Sequence, residues 1–248
     1  MSRLFVVGVV IARQGSKGLP GKNLARLGRW PLLAHTILAA KNAKTLDRVI
    51  LSTDSPEMAR IGRRFGVEVP FLRPRRLAMD RTHTPPVIEH AVSFLEKRDG
   101  RAVDIVVTLQ PTSPFRRAEH IDAAVRMLIL HPKMDSVITV KPATFPPHWM
   151  FKVRGQLLSP LMADGVDYSI KERQQLPSVF QPNGAVFVTR RRLLRERKIL
   201  YSVFAGGKNG FVPMDTVSSM DIDHPSDLGL ARAMLRDQPG LVSGRGIK

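Results

Sequence analysis

The chain contains no cysteine. That excludes disulfides, thiolate nucleophiles, zinc fingers and iron–sulfur clusters together, and it suits a reducing, cytoplasmic setting. Aromatic residues are scarce at 6% and do not recur among the basic ones, so the stacking platforms that hold single-stranded nucleic acid are missing. No apolar run approaches the roughly 20 residues needed to span a bilayer, so no membrane association is expected. The apolar opening Leu4–Ala12 runs straight into Arg13-Gln-Gly-Ser-Lys-Gly18 with no small-residue cleavage site. It is expected to be a buried first strand rather than a secretion signal. Acidic residues are in deficit: 21 Asp plus Glu against 39 Lys plus Arg leave a formal net charge of +18.

With 248 residues, 43% hydrophobic and 24% charged, the chain is long enough and apolar enough for one globular core. Nucleic acid is the obvious partner for such a charge, yet no DNA- or RNA-binding motif appears, and a nucleic-acid-binding protein is the disfavoured alternative. The densest basic cluster, Arg190–Lys198, reads as a solvated helical face with Leu193 and Leu194 turned inward. The remaining positive field suits steering of a small polyanionic substrate. Serine-hydrolase chemistry lacks a Gly-x-Ser-x-Gly elbow, and the seven histidines show no His-x-x-x-His spacing.

Short runs rich in Val, Ile and Leu recur at Leu4–Ala12, Arg48–Ser52, Val67–Leu72, Asp104–Leu109, Ser136–Val140, Gly184–Thr189 and Phe211–Met214. Most show no polar alternation, as expected of strands covered on both faces. Amphipathic segments at Pro86–Lys97 and Ala118–Leu130, and Pro-initiated ones at Pro56–Phe65 and Pro225–Leu235, predict helices between them. The alternation predicts a three-layer α/β domain on a mostly parallel, doubly wound sheet. Residues 1–236 are assigned to one domain. An aromatic, proline-rich excursion at about 141–182 interrupts it, with the sheet resuming at Asn183, and residues 237–248 are expected to be a disordered tail.

The strongest local signal is Ala12-Arg-Gln-Gly-Ser-Lys-Gly-Leu-Pro-Gly-Lys-Asn23, directly after the first strand. Gly15, Gly18 and Gly21 let backbone amides approach an anion, while Arg13, Lys17 and Lys22 supply cations, so the loop is suited to a polyphosphate. The glycine spacing matches neither a Walker A loop nor a dinucleotide fingerprint. Its position at a strand's carboxyl end is where ligands bind in open α/β sheets. Far along the chain stand Asp221 and Asp223. On an extended segment, residues i and i+2 point the same way, so these carboxylates can converge on one hard cation.

The loop resembles the signature of the sugar-activating cytidylyltransferases, most closely the CMP-sialic acid (acylneuraminate) synthetases. Further matching blocks follow in order: Ser52-Thr-Asp54, Leu72-Arg-Pro74, Leu77-Ala-Met-Asp80, Leu109-Gln-Pro-Thr-Ser-Pro114, Arg173-Gln-Gln-Leu-Pro177, Pro182-Asn-Gly-Ala185 and Met220-Asp-Ile-Asp223. The resemblance covers about residues 4 to 236. It implies a nucleotide-diphospho-sugar transferase-like, Rossmann-like fold with the excursion as a dimerisation arm. It also implies transfer of CMP from CTP to the anomeric hydroxyl of an acidic nine-carbon sugar, sialic acid or a relative such as legionaminic or pseudaminic acid, with release of pyrophosphate. A 3-deoxy-octulosonic acid or a sugar 1-phosphate is the alternative acceptor.

By the same resemblance, Arg13, Lys17 and Lys22 match triphosphate-binding positions, and Ala12, Gly15, Ser16 and Asn23 complete the nucleotide side. Arg73, Asp80 and Thr84 match the part that recognises cytidine. Asp221 and Asp223 match the magnesium site, and Arg13, Lys22 and Asp221 are assigned to catalysis. Gln110 and Arg173 match sugar contacts. Gln181 and Phe187 stand where Arg and Tyr are common in the family, which weakens the match on the sugar side.

Overall fold

The computed structural model describes residues 3–16, 18–162, 176–197 and 207–242. Its central sheet has six strands in the order β10-β6-β9-β5-β1-β4. These are β1 (Val6–Ile11), β4 (Arg48–Ser52), β5 (Ile105–Leu109), β6 (Ser136–Pro142), β9 (Phe180–Arg190) and β10 (Asn209–Pro213). β1 pairs in parallel with β4 and β5, and β10 pairs in parallel with β6. β9 runs antiparallel between β5 and β6, the one departure from the parallel expectation in this sheet. β2 (Arg26–Leu27) and β3 (Trp30–Pro31) form a minimal ribbon beside it.

β1 and β5 are buried nearly throughout because both faces of the sheet are covered. Val6 and Val10 join a core with Ala34 and Ile37 of α1 (Leu32–Asn42), Met58 of α2 (Pro56–Arg64) and Val125 of α4 (Ala118–Leu130). Val7 and Val9 join a second core with Ile88 and Val92 of α3 (Thr84–Asp99) and Leu194 of α5 (Arg191–Arg197). Successive side chains of one strand thus feed opposite layers, which is the doubly wound arrangement. α6 (Pro225–Asp237) closes a third cluster with Leu27, Leu32, Phe115 and Ile222.

Three expectations change. The Val67–Leu72 run is not a strand: Glu68 makes a single bridge to Ile50, and Pro70 and the exposed Leu72 lead the chain off the sheet edge. The sheet resumes at Phe180 rather than Asn183, with Phe180 opposite Pro142 and Gln181 opposite Lys141. Of the expected tail 237–248, the turn Pro239–Leu241 packs Leu241 and Val242 against the third cluster, and residues 243–248 lie outside the described residues. Within the excursion, β7 (Phe151–Arg154) and β8 (Leu157–Pro160) pair as an antiparallel hairpin. Among the described residues, no helix is long and apolar enough to cross a membrane.

Candidate functional site

The crossover through α1 covers one face of the sheet and that through α3 the other, so the chain diverges at the carboxyl ends of β1 and β5. Such a switch point opens a crevice. The loop after β1 fills its edge. The Asn23 side chain, buried beneath the loop, donates to the Arg13 carbonyl at 2.9 Å and draws the loop back on itself. Gly21 takes a left-handed conformation (φ 68°) that starts the turn Lys22–Leu24. Gly18 abuts the far end of the chain: a Cβ there would lie 2.5 Å from the Asp223 carbonyl oxygen.

A cleft of about 340 Å³ lies over these strand ends. It gathers Arg13, Gly15, Ser16, Lys22 and Asn23 of the loop with Arg73, Thr84, Gln110 and Asp223. Ala12 is buried just behind. Its carbonyl accepts from Arg73 Nη2 at 2.8 Å, and Arg73 also donates to the Ser52 carbonyl and hydroxyl. Arg73 therefore pins β1 to β4 from the cleft wall. Burial lowers its pKa to about 10, with Asp54 opposing and Arg13 adding to the shift. Asp80 stands outside the lining and accepts from Arg13 at 2.5 Å. Lys17 and Arg173 lie outside the described residues. Leu77 and Met79, from the matching block Leu77–Asp80, also line the cleft, as do Thr82 and Val87, which no charge or glycine pattern marks in the sequence.

Asp221 and Asp223 follow the loop after β10 in coil, not on a strand. Asp223 accepts from Lys22 Nζ at 2.6 Å. The segment carrying Asp221 is held to the end of β5 by the Ile222 amide, which donates to the Thr112 carbonyl at 2.8 Å. Although Asp221 is open to solvent on one side, desolvation pushes its carboxyl above the usual range; the Thr112 side chain and Lys22 oppose this, and the Asp223 charge adds to it. The carboxylates are thus close enough to repel. Among the described residues, no third His, Cys, Asp or Glu completes a metal cluster with them. Two carboxylates suit magnesium, which keeps waters and takes substrate phosphates for its remaining ligands.

On the sugar side, Gln110 lines the cleft, whereas Gln181 and Phe187 of β9 do not. β9 is antiparallel, so its beginning extends past the cleft end, while Phe187 pairs with Thr108, the last residue but one of β5. There it is buried against Ile138 and Val140. Asn183 and Gly184 make a bulge: Asn183 accepts from Thr139 Oγ1 at 2.7 Å and donates to Ser219 Oγ at 2.9 Å. Gly184 has a φ of 74°. That network ties β9 to the segment leading into Asp221. Arg116, which the sequence reading did not single out, lies beneath Gln110 with Nη1 3.1 Å from the Gln110 carbonyl oxygen.

Comparison with known proteins agrees with this geometry. A family model described as Cytidylyltransferase matches residues 7–148. The chain is 33% identical over 243 residues to the CMP-N,N'-diacetyllegionaminic acid synthase of Legionella pneumophila, covering 96% of this chain and 99% of that one. It is 34% identical to the N-acylneuraminate cytidylyltransferase of Escherichia coli, over 92% of this chain and 52% of that protein. The solved structure of CMP:2-keto-3-deoxy-manno-octonic acid synthetase complexed with CTP superposes with a TM-score of 0.71 at 18% identity, covering 94% of this chain and 99% of that one. The 4-diphosphocytidyl-2C-methyl-D-erythritol synthase of Anaerococcus prevotii does so at 0.66 and 17%, covering 94% and 96%. Those two likenesses carry the fold. The family model over more than half of the chain, and a relative matched along almost its whole length, show that this chain belongs to the cytidylyltransferase family, the nucleotidyltransferases its motifs resemble.

Proposed function

We propose that the protein transfers CMP from CTP to the anomeric hydroxyl of a nonulosonic acid of the sialic, legionaminic or pseudaminic type. The hydroxyl oxygen bonds to the α-phosphorus, the bond from that phosphorus to the β-phosphate bridge oxygen breaks, pyrophosphate leaves, and the hydroxyl proton passes to solvent. One observation carries the reading: the cleft at the ends of β1 and β5 brings Arg13, Lys22 and Asn23 together with Gln110 and Asp223. The Legionella pneumophila and Escherichia coli relatives are named for sugars of this class.

Within that reading, Arg13 and Lys22 hold the triphosphate and offset charge as it builds on the departing pyrophosphate, which lowers the barrier rather than only tightening binding. Leu77, Met79, Thr82 and Thr84 wall the cytidine side, and Gln110 faces the sugar. Asp221 and Asp223 would hold a divalent cation, magnesium, which supplies charge neutralisation at the α-phosphate and acidifies the attacking hydroxyl when bound. The enzyme is proposed to work as a homodimer. Phe151, Val153, Leu158 and Pro160 share one face of the β7–β8 hairpin, and the first three are more than half exposed. A two-stranded ribbon with an open apolar face gains stability from a partner surface.

The deciding experiment is pyrophosphate release with each of the four nucleoside triphosphates against a panel of nonulosonic acids, a 3-deoxy-octulosonic acid and sugar 1-phosphates. Turnover with CTP and a nonulosonic acid is expected. Turnover confined to the octulosonic acid or a sugar phosphate moves the assignment to that acceptor.

A further inference from the structure

Arg116 is 1% exposed, and its hydrogen-bond partners among the described residues are neutral. Nη1 donates to the carbonyls of Gln110 at 3.1 Å and Ala185 at 2.8 Å, and Nη2 donates to Thr36 Oγ1 at 2.7 Å. Thr36 Oγ1 in turn donates to the Gln110 carbonyl at 3.3 Å. Nε is buried without a hydrogen-bond partner. Among the described residues no carboxylate pairs with it, and burial alone lowers its pKa to about 9, so it remains a cation at neutral pH. Enclosing a guanidinium with only carbonyls and a hydroxyl costs folding free energy that an apolar side chain would not. A feature that opposes folding calls for a use in the folded protein.

We infer that Arg116 is a positioning residue for the transfer reaction, a buried clamp that fixes the Gln110–Thr112 turn and through it the attacking side of the cleft. The inference rests on the proposed function. Two lines run outward from the clamp. Gln110, whose carbonyl Arg116 and Thr36 grip together, lines the cleft where the sugar is placed. Thr112, two residues on, accepts the Ile222 amide on its carbonyl at 2.8 Å and so fixes the segment that carries Asp221 and Asp223. Among the described residues Arg116 bonds neither Arg13, which pairs with Asp80, nor Lys22, which pairs with Asp223 and reaches the clamped segment only by a long 3.4 Å approach to the Ile222 carbonyl. Arg116 therefore acts on sugar placement and transfer, and not on triphosphate binding.

The test compares the wild-type full chain with Arg116→Lys, Arg116→Met and Thr36→Val. The readouts are CTP affinity without sugar by calorimetry, KM and kcat for the sugar, and amide hydrogen exchange across residues 109–116. Arg116→Lys keeps the charge but loses the fork. Each lost hydrogen bond is expected to raise sugar KM or lower kcat about three- to tenfold, and to speed exchange at Thr112, with CTP affinity held within about twofold. Thr36→Val shows the same direction more weakly. If Arg116→Met fails to fold, Arg116→Lys and Thr36→Val still decide. Unchanged kinetics in both overturns the inference, and so does a loss of CTP affinity parallel to the sugar effect, which marks a general scaffold role. Should the wild type turn over no nonulosonic acid, the functional reading fails on its own; unchanged exchange at Thr112 in Arg116→Lys then overturns the clamp independently.

Discussion

Lys22 and Asp223, 201 residues apart in sequence, meet across the cleft in a 2.6 Å ion pair. The Lys22 side chain is mostly enclosed, and its Nζ also approaches the Ile222 carbonyl at 3.4 Å. A cation suited to a triphosphate is thus held in position beforehand by a carboxylate suited to a metal. Arg13 and Asp80 repeat the arrangement on the other rim.

Removing the loop cation should be costly. Lys22→Ala deletes a charge-assisted contact to the triphosphate, and such contacts are worth about 1.5–3 kcal/mol. Pyrophosphate release in saturating CTP is expected to slow at least about tenfold. Near-normal turnover would remove Lys22 from the proposed role.

The carboxylates should separate binding from transfer. Asp221→Asn with Asp223→Asn is expected to abolish turnover while CTP still binds through Arg13 and Lys22. Because Asp223 then no longer competes for Lys22, CTP affinity in the absence of divalent cation should rise, which calorimetry can read. Magnesium-dependent turnover in the double variant would place the metal elsewhere.

Gly18 has no room for a side chain. A Cβ would meet the Asp223 backbone oxygen at 2.5 Å, and backbone cannot yield as a flexible side chain does. Overpacking of this kind costs about 1–3 kcal/mol. Gly18→Ala should therefore push the loop off Asp223, lower the thermal midpoint by a few degrees and raise KM for CTP. An unaltered KM would mean that the contact between these two segments is dispensable.

Assembly is tested at the hairpin. Phe151 and Leu158, on its apolar face, are 54% and 65% exposed. Light scattering should report a dimer for the wild type and a monomer for Phe151→Glu with Leu158→Glu. A wild-type monomer at micromolar concentration refutes the proposal.

Acid stability should depend on Arg191, which opens α5, is nearly buried against α3 and bonds Glu89 and Glu96. Bonds from Arg191 hold the Glu89 carboxyl below its ordinary 4.5. Glu96 is also lowered: desolvation works against this, but bonds from Arg191, the Val103 amide and Arg195 outweigh it. Depressed carboxyl pKa values give stability that is present above the unfolded value and lost as pH falls through the folded one. Arg191→Met should cost about 2 kcal/mol at neutral pH, less than a fully buried pair because Glu89 is a third exposed. The variant should then lose less on acidification below 4.5 than the wild type. Parallel thermal-midpoint curves for the two proteins would contradict this.

The nucleotide half of the cleft was legible because its chemistry is local. Gly15, Gly18, Lys22 and Asn23 sit within one loop, and the strand before it is a continuous apolar run. Arg48–Ser52 and Ala118–Leu130 match observed elements end to end. α1 escaped notice because it is buried nearly all round, Leu32 to Ala40, and so shows no apolar stripe. Val67–Leu72 misled because β-propensity cannot register that the strand beside it is already the sheet's edge. Arg116 could not be singled out, since an Arg next to Arg117 reads as solvated charge until its carbonyl partners are seen. Phe187 matched a sugar position in sequence, while in the fold its ring is buried against Ile138 and Val140 rather than in the cleft lining.

The antiparallel placement of β9 also governs how the chain comes together during synthesis. By Leu109 the ribosome has delivered β4, β1 and β5, which can pair at once. β6 emerges next, and its sheet partners among the described residues are β9 and β10. Until Phe180–Arg190 has been made, β6 is a seven-residue strand, mostly apolar, with both edges open. Long-range pairings of this kind fold slowly, and unpaired edges recruit neighbouring chains. The excursion before β9 lengthens that exposed interval, so a stalled or truncated chain ending between β6 and β9 is the species that aggregates, and it lacks Asp223 to hold Lys22 in place.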